Sequence, residues 1–398
     1  MSGTGLQVMV VEDHGFQRRI ALRLLADLGH EQALEGADGL HALDVLRQQP
    51  APPDVVLVDL DMPGMDGIEC IGHIAHEHLA RAVVVVSALD PALLNTVQTM
   101  ARAYGLRVLG SVEKPLTRDK LEVVLARFHE HAGEALDEGE ADFEPDEAVA
   151  ALARGEIVPW FQPQVEFGNG KVVGVEALAR WERADGSVVR PVLFVPVLEA
   201  AGQAHALTDR MLDAGCRWLH HWGQEGRRLR LSVNVSPLAL ADATAADRYQ
   251  SIVESHGLKP EDVVLEITES SLMTDAARGL GVLARLRLKG FGLSIDDFGT
   301  GYSSLAQLAQ VPFTELKIDK DFVFASHAQP RKRAMVEASL DLARKLSLTT
   351  VAEGVETVDD WQLLAELGCN VAQGWLIGRP VPGSELPAAI ARWRRPAR

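Results

Sequence analysis

The chain has 398 residues, 47% of them hydrophobic and 24% charged, which suits globular folding and is too long for a single ordinary core. A formal net charge of −17 argues against duplex nucleic acid as a partner, because neutralising phosphates requires clustered Lys and Arg. Cys70, Cys216 and Cys369 are too few and too scattered for a disulfide framework or a zinc site. No apolar run is long enough to span a bilayer and no signal peptide is visible, so a cytoplasmic protein without a membrane partner is expected.

In chain order, the first elements are short apolar runs at Gln7 to Val11, Val55 to Val58 and Val83 to Val86. Such continuous runs predict parallel strands covered on both faces. Between the first two, Ile20, Leu24, Leu25 and Leu28 recur at helical spacing, and Gly29 is placed to end that helix. The alternation predicts a doubly wound α/β domain whose site lies at the carboxyl ends of its strands. At those ends stand Glu12 and Asp13, then Asp59, Ser87 and Lys114 before Pro115. Three carboxylates converging on one edge call for a bridging cation, so a Mg²⁺ pocket is expected. A hydroxyl and an ammonium beside them suit an aspartate that becomes phosphorylated.

These residues, with the stretch Asp59-Leu60-Asp61-Met62-Pro63-Gly64-Met65-Asp66-Gly67, resemble the receiver domain of two-component response regulators over residues 5–128. The resemblance implies a (βα)5 receiver domain in which Asp59 is the phosphoacceptor. It also implies that Glu12, Asp13 and Asp59 hold one Mg²⁺, and that Ser87 and Lys114 read the phosphoryl group. A cognate sensor histidine kinase or phosphotransfer protein is then a partner. One position departs from the pattern: Ser111 stands three before the Lys, where receivers usually carry an aromatic switch residue, and Tyr104 belongs by its spacing to the preceding helix.

From Glu130 to Glu147 there are nine acids and no Lys or Arg, so residues 129–147 are expected to form a solvated, self-repelling acidic linker. A short helix at Asp146 to Arg154 should follow. Strands are then predicted at Ile157 to Gln164, Val172 to Ala179, Arg230 to Val235, Val264 to Thr268, Gly292 to Asp296, Glu315 to Ile318, Thr349 to Val351 and Val371 to Ile377. Helical patterns fill most of the gaps, and the whole has the size of a (β/α)8 TIM-like barrel of about 250 residues. The apolar runs end in Glu176, Asn234, Glu266, Asp296-Asp297, Lys317, Glu353 and Gln373. Barrel enzymes gather their chemistry at such strand ends. Any one of these residues is readily explained as a cap or a surface ion pair, but the whole series is not. Clustered carboxylates need countercharge, and all-oxygen ligands select Mg²⁺ or Mn²⁺ over zinc. Two such ions about 3.5–4 Å apart clamp a phosphodiester and activate water, which predicts a hydrolase of phosphate esters without naming the ester.

Residues 148–395 resemble the EAL family of cyclic di-GMP phosphodiesterases. The matching stretches are Glu176-Ala177-Leu178-Ala179-Arg180-Trp181, Asn234-Val235-Ser236, Leu265-Glu266-Ile267-Thr268-Glu269, Asp296 to Leu305, Lys317-Ile318-Asp319, Glu353-Gly354-Val355-Glu356 and Gln373-Gly374. The resemblance implies that Glu176, Asn234, Glu266 and Asp296 bind one metal ion, and that Asp296, Asp297 and Glu353 bind a second. Glu353, Lys317, Asp297 and Glu176 form the implied catalytic set. Gln162 would lie near a guanine, Arg180 would meet a substrate phosphate, and Lys317 and Gln373 would contact the water or the substrate. Glu269 would brace the loop from Phe298 to Ser304, which also contributes to a homo-oligomeric (dimer or tetramer) contact. The implied reaction opens cyclic di-GMP to linear pGpG under control of receiver phosphorylation. Trp375 replaces a usual Tyr, and Gln164 replaces a more apolar residue. Neither is expected to touch the metal set. A relative that only binds the dinucleotide would have lost metal ligands, and none is missing. No GGDEF-type cyclase segment is present.

Overall fold

The computed structural model describes residues 6–30, 32–87, 101, 106–130, 143–268, 276–299 and 311–396. The Ser87 side chain, Tyr104, Glu269, residues 300–304 and most of the acidic linker lie outside the described residues. The chain divides into two compact units, residues 1–140 and 141–398.

In the first unit, strands β1 (Val8–Val11), β2 (Leu34–Gly36), β3 (Val55–Asp59), β4 (Ala82–Ser87) and β5 (Arg107–Glu113) form one parallel sheet in the order β2-β1-β3-β4-β5. The apolar runs are continuous because both faces are covered. Met9, Val11, Val56, Val58, Val83 and Val85 pack beneath α2 (Gly39–Arg47) and α3 (Gly67–His76). Val8, Val10, Val55, Leu57, Val84 and Val86 pack beneath α1 (Gly15–Asp27) and α4 (Arg118–Glu130). The strand order reverses between β1 and β3, and their ends carry Glu12, Asp13 and Asp59 at that switch point. Gly67 lets α3 start hard against β3, since a Cβ there would come 2.1 Å from the Asp59 carbonyl oxygen. The register of β4 with β5 shifts beside Gly110, and Ser111 is exposed on the strand that follows.

The second unit opens with α5 (Pro145–Arg154), whose proline occupies the first turn and whose left-handed C-cap is Gly155. Eight strands then close a barrel: β6 (Ile157–Glu166), β7 (Val172–Glu182), β9 (Arg230–Asn234), β10 (Val263–Thr268), β11 (Gly292–Phe298), β12 (Glu315–Ile318), β13 (Thr349–Ala352) and β14 (Val371–Ala372). Two short strands, β8 (Val188–Val189) and β15 (Val381–Pro382), add to β7 and β6. All neighbouring barrel strands are parallel except at β6, which runs antiparallel to both β7 and β14. The eight strands fall where expected, but a tight hairpin joins the first two, leaving no room for a helix between them. The expected strand to Ile377 also stops early, at Ala372. Gly374 lies directly on the Val355 backbone, where a Cβ would come within 2.3 Å of the Val355 nitrogen, and that crossing ends the ladder.

Helices α6 (Pro191–Ala200) and α7 (Ala204–Gln224) fill the long gap after β7. Trp218 stacks on Trp222 at 5.7 Å, and Trp222 meets Phe161 edge-on at 4.8 Å, so this pair is core packing. Helices α8 (Ala245–Ser255), α9 (Ala276–Leu288), α10 (Lys320–Val323), α11 (Pro330–Lys345), α12 (Val358–Glu366) and α13 (Leu386–Arg392) follow among the described residues. No helix among the described residues is long and apolar enough to cross a membrane.

Fully buried Asp360 ties α12 to the segment between α10 and α11. It accepts from Ala325 N at 3.0 Å, His327 Nδ1 at 2.7 Å and Thr357 Oγ1 at 2.9 Å. Burial opposes its charge, yet the bonds from His327, Ala325 and Thr357 hold its carboxyl below the usual range. Its contribution is therefore present at neutral pH and is lost as acid protonates it. Asp360→Ala is expected to cost about 2–4 kcal/mol by stranding these donors, read as a lower urea midpoint at pH 7. An unchanged midpoint would remove Asp360 from the account of stability.

Candidate metal centres and active site

Each barrel strand delivers its polar residue at the register that the sheet imposes. Gln162 pairs with Glu176 across β6 and β7, Glu176 with Ser232 across β7 and β9, and Asn234 with Glu266 across β9 and β10. On β12, alternation turns Glu315 and Lys317 to one face, and the side chains of Glu176, Glu266, Asp296 and Glu353 meet Lys317 there. Lys317 is 1% exposed. Its Nζ lies 2.6 Å from Glu353 Oε1, 2.8 Å from Glu266 Oε2, 3.2 Å from Asp296 Oδ1 and 3.4 Å from Glu176 Oε2. Lys317 thus stands at the centre of the ring as its countercharge.

Asp296 and Asp297 are sequence neighbours, which a regular strand would send to opposite faces. Here Asp297 takes a left-handed backbone with φ of 55°, and the β11–β12 register breaks between Ile295 and Phe298. Asp297 N also donates to Asp296 Oδ1 at 3.1 Å. With Glu353 the two aspartates offer carboxylate oxygens within 4.8 Å of one another, a grouping able to hold a cation. Asn234 Nδ2 donates to Glu176 Oε1 at 2.8 Å and so orients that carboxylate.

The electrostatics are those of a crowded acidic pocket. Burial, and then the neighbouring Glu176, push the Glu266 carboxyl well above its ordinary value. Burial takes Glu353 up to about 8 despite Lys317 beside it. Burial and Asp296 take Asp297 up to about 6. Burial works against charge on Glu176 too, but Lys317 and the bonds from Gln373 and Asn234 hold it low. Burial alone would depress Lys317; Glu176, Glu266 and Glu353 outweigh it and raise the ammonium well above its usual value. Glu266 Oε1 is buried with no hydrogen-bond partner, and such an acceptor on an all-oxygen ring fits a divalent cation.

Other expected residues fall nearby in differing ways. Arg180 donates to the Ala179 carbonyl at 2.8 Å and lies 5.9 Å over the Trp160 ring. Gln373 Nε2 donates to Glu176 Oε2 at 2.5 Å and to Gln162 Oε1 at 3.1 Å. Trp375 is 41% exposed and carries the Arg379 guanidinium 4.5 Å above its ring. Two residues had no expected role in the site. Asp319 is 7% exposed and shares a hydrogen bond with Asp297. The Lys317-x-Asp319 spacing, one strand period, was the available signal. Gln164 donates through Nε2 to Gln373 Oε1 at 2.9 Å, and only the β6–β14 pairing brings the two together.

In the first unit, Glu12, Asp13 and Asp59 also bring carboxylate oxygens within 4.8 Å of one another. Lys114 Nζ reaches Glu12 Oε2 at 2.8 Å and Asp59 Oδ2 at 2.7 Å. Burial raises the Glu12 carboxyl against the pull of Lys114. Arg18 Nη1 donates to the Glu12 carbonyl at 2.7 Å, fixing the chain where it leaves β1.

Residues 146–380 match the EAL domain family, and residues 8–126 match the response regulator receiver domain family. The chain is 34% identical to the cyclic di-GMP phosphodiesterase RocR of Pseudomonas aeruginosa, over 95% of this chain and 96% of RocR. It is 41% identical to the bifunctional diguanylate cyclase/cyclic di-GMP phosphodiesterase MucR of the same organism, over 61% of this chain but 35% of MucR. Among solved structures, the PaMucR phosphodiesterase in complex with c-di-GMP is 40% identical, with a TM-score of 0.58, over 61% of this chain and 100% of that one. An EAL domain protein of Listeria monocytogenes is 27% identical with a TM-score of 0.56, over 62% of this chain and 97% of that one. The chain belongs to the EAL domain family, its EAL domain preceded by a response regulator receiver domain.

Proposed function

We propose that this protein hydrolyses cyclic di-GMP to linear pGpG at the barrel mouth, using two divalent cations, Mg²⁺ or Mn²⁺. Phosphorylation of Asp59 by a sensor histidine kinase or phosphotransfer protein sets the rate. The observation that carries the reading is the convergence of Glu176, Glu266, Asp296 and Glu353 on one buried ammonium, beside the Asp296–Asp297–Glu353 group. Similarity to RocR along nearly the whole chain supplies the substrate class.

Glu176, Asn234, Glu266 and Asp296 would hold one cation, and Asp296, Asp297 and Glu353 the other. Bound there, the cations supply Lewis-acid polarisation of the scissile phosphate and a lowered pKa for the attacking water. The chain supplies the rest. Lys317, its ammonium held protonated by the acids around it, acts as a fixed positive charge and not as a base, facing the charge that builds on the phosphorane. Arg180 would take a phosphate oxygen, and Gln162, whose Nε2 donates to the Gly378 carbonyl at 3.0 Å, would lie near a guanine. In the first unit, Glu12, Asp13 and Asp59 would hold one Mg²⁺ and Lys114 would pair with the new phosphoryl charge, with the Ser87 hydroxyl as its second reader.

Glu176→Ala, Glu353→Ala and Lys317→Met are each expected to lower kcat/KM for cyclic di-GMP by about 10²-fold or more, measured as pGpG released with Mn²⁺ present. Full activity in any of them would reject the role given to that residue.

Cation binding requires ionised carboxylates, while metal-free Glu353 and Asp297 hold protons up to about 8 and about 6. Binding therefore releases protons, and Mn²⁺ affinity should rise as pH increases through that interval. Calorimetry in buffers of different ionisation enthalpy measures the release. An affinity that does not vary with pH would contradict the assignment.

A small-molecule phosphodonor should change the hydrolysis rate of the wild-type chain and leave Asp59→Asn unaffected. An identical response from both would separate the receiver from control of the barrel.

A further inference from the structure

Three buried glutamines form a chain of amide hydrogen bonds whose direction is fixed at both ends. Gln162, Gln164 and Gln373 are 8%, 3% and 4% exposed. Gln162 Nε2 donates to the Gly378 carbonyl at 3.0 Å, an atom that can only accept. Its Oε1 must therefore face Gln373, and it accepts from Gln373 Nε2 at 3.1 Å. The other anchor, Glu176 Oε2, is a carboxylate oxygen, and it too takes Gln373 Nε2, at 2.5 Å. Two acceptors on the nitrogen leave Gln373 Oε1 on the opposite side, where Gln164 Nε2 meets it at 2.9 Å. The orientation of each amide follows from these anchors and not from the choice of which terminal atom is nitrogen.

Space for the last link is also built in. Gly174 pairs with Gln164 across β6 and β7, and a Cβ at position 174 would stand 2.8 Å from Gln164 Oε1. A side chain there would push the glutamine off Gln373.

We propose that Gln164 is a positioning residue: it holds the Gln373 amide in place by its oxygen and, through it, the presentation of Glu176 to the cation. Without a donor at 164, Gln373 Oε1 is a buried acceptor with no partner. Turning the amide in place brings no relief, since its oxygen would then face Glu176 and Gln162, so the side chain instead shifts toward another donor and slackens its hold on Glu176. The catalytic consequence rests on the proposed metal-dependent hydrolysis, whereas the orientation itself does not.

The test is a double-mutant cycle in the full-length chain, comparing wild type, Gln164→Met, Gln373→Met and the double variant. Mn²⁺ affinity without substrate, and kcat and KM for cyclic di-GMP, are read for each. Gln164→Met is expected to weaken Mn²⁺ binding and lower kcat by about 10-fold, the scale set by an unpaired buried acceptor, with KM little changed. In the Gln373→Met background the same substitution should have no further effect. Equal losses in both backgrounds would mean simple packing and would overturn the proposal, as would wild-type values in Gln164→Met. Gln164→Glu provides a second arm if the Met variant misfolds. Its carboxylate opposes Gln373 Oε1, so its defect should likewise vanish in the Gln373→Met background, and persistence there overturns the proposal. Absence of any turnover in wild type would reject the hydrolase reading, while the cycle in Mn²⁺ affinity would still decide the role of Gln164.

Discussion

A buried ammonium cannot stand alone in a protein interior, and Lys317 sets the terms for the barrel mouth. Its Nζ is within 3.4 Å of four carboxylates on four different strand ends, and each of those acids in turn requires the positive charge. With one ammonium among so many acids, the compensation is incomplete. Glu266, Glu353 and Asp297 stay prone to protonation while Glu176 does not. A ring short of positive charge has a standing affinity for cations, which suits a centre that works with divalent metal.

The first unit uses the same device on an unrelated sheet. Lys114 sits between Glu12 and Asp59 at 2.8 and 2.7 Å, beside a carboxylate group of cation-binding geometry. In both units a lysine, on β12 in one and just past β5 in the other, holds acids together that would otherwise repel. In both, strand ends position the acids: the switch point of an open parallel sheet in one, the mouth of a closed barrel in the other.

Irregular backbone gathers where the chemistry is. Asp297 adopts a left-handed conformation and interrupts the ladder between β11 and β12, and Gly374 crosses the Val355 backbone closely enough to end β14. Each departure lets a residue reach the mouth that regular pleating would have turned away. The cost in backbone strain is borne by a core that runs through every barrel strand.

Much of this was legible in the chain itself. Continuous β-branched runs identified strands covered on both faces, and the succession from Glu176 to Gln373 located one mouth, because strand period and length are local properties. Charge type was legible as well: the strand ends carry acids without His or Cys. Tertiary structure alone decided the rest. That β6 also pairs antiparallel with β14, and so closes the barrel, depends on contacts across more than 200 residues of sequence, at Val371 and Ala372. The same pairing brings Gln164 to Gln373, so a residue that reads as a neutral departure becomes part of the site. Asp319 joins Asp297 only once β11 has broken its register. Composition and periodicity determine which elements form and which faces they bury. Which side chains share a hydrogen bond follows from long-range register, which no local pattern encodes.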